Sequence, residues 1–217
     1  MLSKNYWVAL ASLIWMVGLT LWILSHSVDG LEIPVHFNIQ GQADRYAPVG
    51  EALWTGVGLA AGSLALIHFL PLIDPRIKNV DDTRPAIRGM ANAVVLFLAL
   101  VHGGMGLSAL GYGIDVVQSV VIGLGGLYLI MGNYVAKTRS NFFIGIRTPW
   151  TLSSDKVWMK THRLAGRLMV PASLIILMIG GLGLHVELFA FLMIVLLTAV
   201  FVPVVYSWYA YRQEMNG

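Results

Sequence analysis

The chain alternates between long apolar runs and shorter polar breaks. Apolar stretches recur at residues 6–24, 52–73, 87–110, 115–135, 168–182 and 188–211. A helix rises about 1.5 Å per residue, so about 20 apolar residues cross a hydrocarbon core about 30 Å thick. The short alternating segments of a membrane barrel are absent from these runs. The pattern predicts an all-α, polytopic membrane protein with six transmembrane helices. The first run follows a lone Lys4 and has no small-x-small cleavage site behind it, so an uncleaved helix is expected rather than a signal peptide.

Composition agrees with the pattern. Of 217 residues, 57% are hydrophobic and 12% charged, with a mean hydropathy of +0.74; a soluble domain is nearer about 25% charged. The chain has no cysteine, which excludes disulfides and thiol catalysis.

Two polar breaks are longer than connectors need to be. The first, residues 25–51, contains Pro34, His36 and Asp44 around Gly41. Proline fixes φ and glycine permits positive φ, so a short extended piece followed by a turn is predicted there. The second, residues 136–167, is the longest polar interruption in the chain. A charged connector at residues 74–85 opens with Asp74 and Pro75, which stop the preceding helix. Two regions follow: residues 1–73, with the first two helices and the 25–51 loop, and residues 74–217, with helices three to six and the 136–167 loop.

Charge sets an orientation. With both termini cytoplasmic, all but Arg45 of the 14 Lys and Arg fall on the inside, and six carboxylates (Asp29, Glu32, Asp44, Glu51, Asp115, Glu187) fall outside. The positive-inside rule selects this topology. The basic pI of 9.3 is then a sign of topology and of contact with anionic lipid. No nucleic-acid partner is expected.

Dense chemistry lies in the second long loop. Asn141, Gly145, Arg147, Thr148, Pro149, Trp150, Trp158, Thr161, His162 and Arg163 are candidates for binding a partner or ligand. Arg147 stands among Phe142, Phe143, Ile144 and Ile146, so it needs an acceptor. A lipid phosphate, a helix C-terminal carbonyl or a carboxylate would serve, with Asp74 and Asp155 the nearest acids in sequence. Trp150 and Trp158 suit the headgroup level. Residues 153–165 read as a short interfacial helix capped by Ser153 or Ser154. Val157, Trp158, Thr161, His162 and Ala165 share one face, with Lys156, Lys160, Arg163 and Arg167 around the other. Pro34, His36 and Asp44 are the corresponding candidates outside.

Three polar residues lie inside the apolar runs. His102 is mid-helix and expected to make an interhelical hydrogen bond, with Gln118 or a backbone carbonyl as partner. Asn92 and Asn133, with His68, are expected to brace helix ends. No metal site, cofactor or enzymatic activity is expected. The outer His26, His36 and His185 with nearby acids match no ligand spacing, and no Ser, Cys or Asp stands in a catalytic spacing to His162.

Gly132, Asn133, Tyr134, Asn141, the unbroken run Gly145, Ile146, Arg147, Thr148, Pro149, Trp150, Thr151, then Trp158 and Thr161, His162, Arg163, carry a resemblance. On these residues the chain resembles the SdpI family of bacterial membrane proteins. Pro34, His36, Phe37, Gly41 and Asp44 are similar to the small domain that often precedes the SdpI region. The resemblance covers nearly the whole chain. It implies a non-enzymatic immunity or signalling protein of the bacterial inner membrane. A toxin peptide or envelope ligand would be met outside and a cytosolic regulator inside, and self-association is open. An alternative reading is a small permease built around His102 and the glycine-rich helices. An intramembrane enzyme using residues 141–163 is the least favoured.

Reporter fusions test the topology. A reporter at residues 40–45 should give an external signal and one at the C-terminus a cytoplasmic signal; an external C-terminus overturns the orientation.

Overall fold

The computed structural model describes residues 6–38, 40–184 and 187–216, with the side chains of residue 70 and residues 77–80 left aside. Lys4 and His185 lie outside the described residues. The elements run α1 (Trp7–His26), β1 (Glu32–Phe37), β2 (Ala43–Pro48), α2 (Val49–Phe69), α3 (Ile77–Ala109), α4 (Val116–Val135), α5 (Pro149–Ser153), α6 (Asp155–Gly181) and α7 (Phe189–Met215). A single 3-10 turn, Leu70–Ile73, closes α2. Among the described residues six helices are long and apolar enough to cross a membrane, as the hydropathy pattern predicts.

The helices form an open row rather than a closed ring. α1, α2 and α3 pack on one another; α3 then packs on α4, α4 on α6, and α6 on α7. Tyr6, Met16, Leu64, Val95 and Ala99 belong to the core of the first three helices. Val121, Ile176, Ile179 and Leu192 belong to that of α4, α6 and α7. Between α4 and α6 the backbones approach closely. A Cβ added at Gly166 would stand 2.7 Å from the Gly132 carbonyl oxygen, the kind of contact that small residues permit in lipid.

The glycine-rich stretches do not break their helices. α3, α4 and α6 are each continuous, so the half-helix geometry of a permease site is absent among the described residues. Two boundaries differ from the sequence expectation. α3 starts ten residues earlier than residue 87 and carries Pro85 inside it; the polar turns before the membrane are helical too, and neighbouring groups in a bundle offset the hydrogen bond that proline removes. The expected interfacial helix and fifth span are one helix, α6. The change from polar to apolar near residue 167 marks where the helix meets the membrane, not where it ends.

At one end of the bundle β1 and β2 pair antiparallel, with Glu32 opposite Pro48 and Phe37 opposite Ala43. Asn38 closes the turn: its side-chain oxygen accepts from the N–H groups of Gln40 and Gln42, and Gly41 has φ +74°. Ile33 is fully buried against Ile23, Val49 and Leu53, which fastens the hairpin to the helices.

His102 is 3% exposed and its Nε2 lies 3.1 Å from Thr20 Oγ1 of α1. The expected interhelical bond exists, but with α1; Gln118 instead donates to the Gly180 carbonyl, at 2.8 Å. Asn92 accepts from Ala9 N–H at 3.1 Å, one of the donors in the first turns of α1 that have no helical partner. His68 packs edge-on against Tyr6. Asn133 does not brace another helix: it is exposed and donates to Leu129 of its own helix.

Removing one interhelical hydrogen bond in a membrane protein costs about 0.6 kcal/mol on average and up to about 1.7. Thr20→Val should lower thermal stability in detergent by that modest amount; a loss several times larger would mean that His102 also depends on Thr20 for its position.

Candidate functional site

The end of the bundle opposite the hairpin carries the non-helical segment 136–148, followed by α5. Such a segment has backbone groups with no helical partners, and each needs one when buried. Asn141, 2% exposed, supplies four of them. Its oxygen accepts from Phe143 N–H and Ile144 N–H at 3.0 and 2.7 Å, and its amide donates to the carbonyls of Arg139 and Ile144.

His162 supplies another. Its Nε2 accepts from Ile146 N–H at 2.8 Å, so the ring is neutral with its proton on Nδ1, which donates to the Trp158 carbonyl at 2.8 Å. The ring stacks on Trp158 with centroids 4.0 Å apart. Both nitrogens are thereby occupied, which leaves neither free to act as a general base in this state. Gly145 has φ +115°, and a Cβ there would lie 2.4 Å from His162 Nε2. Glycine is required at this position by conformation and by space.

Thr148 and Thr151 form a reciprocal capping box that starts α5, and Pro149 sits in its first turn, where no N–H is missed. The Thr151 hydroxyl also donates to the Ile146 carbonyl at 2.8 Å, and Thr148 Oγ1 meets Ser207 of α7 at 3.0 Å. Ser154 caps α6 through Val157 N–H and donates to Glu214 at 2.6 Å.

Trp158 does not reach the headgroups. It is fully buried, and its indole N–H donates to the Thr138 carbonyl at 2.9 Å. Val157, Thr161, His162 and Ala165 are buried with it, and Lys156, Lys160, Arg163 and Arg167 are exposed, so the two-faced reading of this helix holds. Thr161 Oγ1 is buried without a hydrogen-bond partner among the described residues.

Arg147 differs from expectation in its partner. It is exposed and donates to the Phe142 carbonyl at 2.6 Å, closing the loop on itself instead of reaching Asp74 or Asp155. Asp74 serves the loop in a different way. Buried to 4% exposure, it accepts from Phe142 N–H and Arg76 N–H, each at 2.7 Å. Arg76 then donates to Ser140 Oγ and to the Leu152 carbonyl, with its guanidinium over the Phe142 ring. Thr83 of α3 accepts from Arg139 N–H at 2.9 Å. The clamp between loop and helix ends is thus Arg76 with Asp74. Sequence reasoning does not single out Arg76 or Ser140; the one available signal is a cation placed directly after a helix-stopping Asp-Pro pair.

Asn141, Gly145, Arg147, Thr148, Pro149, Trp150, Trp158, Thr161 and His162 are therefore brought to one end of the bundle. Arg163 lies away from their packed core, on the exposed face of α6. Pro34, His36 and Asp44 lie on the hairpin at the other end. There His36 Nδ1 meets Asp44 Oδ1 at 2.5 Å, with both side chains about half exposed. No group of three metal-ligating side chains occurs among the described residues.

Six membrane-length helices, with a side-chain-bonded loop at one end and a small hairpin at the other, define a multi-pass helical membrane protein. Residues 137–207 match the SdpI/YfhL protein family. Over 155 residues the chain is 30% identical to the immunity protein SdpI of Bacillus subtilis (strain 168), covering 70% of this chain and 72% of that relative. The chain belongs to the SdpI family. No solved structure matches it.

An unsatisfied buried polar group costs about 1–3 kcal/mol. Asn141→Ala strands several at once and should lower the melting temperature more than Arg147→Ala, whose side chain is exposed and holds one carbonyl that water can also reach. Equal losses in a thermal melt would show that Arg147 is as central as Asn141.

Proposed function

We propose that this chain is an immunity and signalling protein of the bacterial inner membrane, with the hairpin end outside and the loop end in the cytoplasm. The observation that carries this reading is the contrast within residues 137–167. The uncharged motif residues are consumed in holding the loop, while Lys137, Arg139, Arg147, Lys156, Lys160, Arg163 and Arg167 are left exposed around it. A rigid platform displaying cations suits a cytosolic protein with an acidic surface, because complementary charge speeds encounter and sets register. The similarity to an immunity protein supports the other half, protection against a peptide toxin met at the outer face.

Sensitive cells expressing this chain should survive the secreted peptide fraction of a strain that carries its gene, and cells with the empty vector should not. A double variant Lys160→Glu and Arg163→Glu, on the exposed face of α6, should retain survival but lose co-purification with the cytosolic regulator. Survival equal to the vector control removes the immunity reading. Unchanged co-purification removes the docking role of the cationic face.

A further inference from the structure

A cavity of about 600 Å³ lies at the hairpin end, between α2 and α3 and beneath β2. It is a groove rather than a chamber. Its long walls come from one face of each helix, with Leu59 and Leu98 toward the middle of the bilayer and Arg45 and Glu51 at the mouth. From Glu51 to Leu59 the groove follows α2 for about 12 Å, at about 1.5 Å per residue. That is close to the depth of one hydrocarbon leaflet, about half of 30 Å. Exposed Tyr46 lines the groove next to Arg45, as an aromatic side chain does at the headgroup level. Leu59, 59% exposed, leaves the groove open sideways toward lipid.

The mouth is chemically specific. Arg45 is the one Lys or Arg in the 25–51 segment. Among the described residues neither the Arg45 nor the Glu51 side chain makes a hydrogen bond or ion pair. A cation and a carboxylate at the rim of one apolar groove, each without a partner, complement a zwitterion. We propose that the groove binds a zwitterionic phospholipid of the phosphoethanolamine class. The phosphate would meet Arg45, since a guanidinium is the fork that fits phosphate oxygens, and the ammonium would meet Glu51. One acyl chain would lie between α2 and α3. An anionic lipid would satisfy Arg45 but face Glu51 across the mouth, so it is disfavoured. His102 lines the inner part of the groove, where its Nε2 is held by Thr20.

Native mass spectrometry of the full chain, delipidated in detergent and given defined lipids, tests this. Phosphatidylethanolamine should be retained about tenfold better than phosphatidylglycerol of the same chains, a difference that a single well-placed charge pair supplies. Glu51→Gln should abolish that preference and Arg45→Gln should weaken both lipids, while Glu187→Gln, in the outer loop between α6 and α7, should change nothing. Free glycerophosphoethanolamine should not compete, because the apolar groove contributes most of the burial. Competition by it would relocate recognition to the headgroup alone and overturn the acyl-groove assignment. Equal retention of both lipids, or an unchanged preference in Glu51→Gln, also overturns the proposal. As a second measurement, a benzophenone amino acid at position 59 should give a lipid adduct in living cells; a polypeptide adduct, or none, overturns it.

Discussion

The constraint on which this molecule depends is backbone hydrogen bonding where no helix supplies it. A chain at the edge of a bilayer cannot leave N–H and C=O groups unpaired. Residues 136–148 are neither helix nor strand, and among the described residues their buried groups are satisfied by side chains from five places. Asn141 and Thr151 act from the loop and α5, Asp74 from the turn before α3, Thr83 from α3, and His162 and Trp158 from α6; Arg76 adds bonds to the Ser140 side chain and to the Leu152 carbonyl of α5. Replacing any one of these by an apolar residue exposes a cost, not merely a lost gain, because the partner group stays buried. The string of polar and glycine residues from 141 to 151 is therefore a folding requirement first.

This same network explains why two helices run on beyond the membrane. The polar first turns of α3 hold Thr83 against the loop, and the polar turns of α6 hold Trp158 and His162 beneath it. Were either helix to stop at the membrane surface, the loop would lose acceptors and donors that no other element provides. The Thr148 to Ser207 and Ser154 to Glu214 bonds then tie α7 to the same assembly. α7 otherwise packs mainly on α6 and turns the rest of its apolar surface to lipid, so the loop end is its second anchorage.

Much of this is legible in the sequence, and the boundary of legibility is physical. Six spans follow from run length alone, because hydrocarbon thickness is a strong constraint on composition. The two faces of α6 follow from its period, and the hairpin turn from Pro34 and Gly41. The partners of Arg147 and His102 are not legible. Any nearby carboxylate or carbonyl satisfies an arginine, and sequence distance does not rank them; the folded chain pairs Arg147 with Phe142 and His102 with Thr20. The place of Trp158 is hidden for the same reason. An indole is at home both in headgroups and in a core that offers its N–H a carbonyl, and only the position of Thr138 decides between them. The start of α3 is obscured because proline in sequence reads as a boundary, while inside a bundle it is tolerated.

Consumption of the motif in structure has a consequence for how such a protein could evolve a partner. Asn141, Gly145, Thr148, Trp158 and His162 cannot vary without loss of the loop, and their polar groups are turned inward. Were a partner recognised at this end, it would meet the exposed cations, whose substitution costs the fold little because surface charges contribute little to stability. The two roles are separated residue by residue along α6: positions 158 and 162 hold the loop, and positions 160 and 163 face outward. A partner surface on that face can change one charge at a time over an unchanged scaffold. A strict motif and a changing partner are therefore compatible on one helix, because the residues that cannot vary are not the ones a partner would touch.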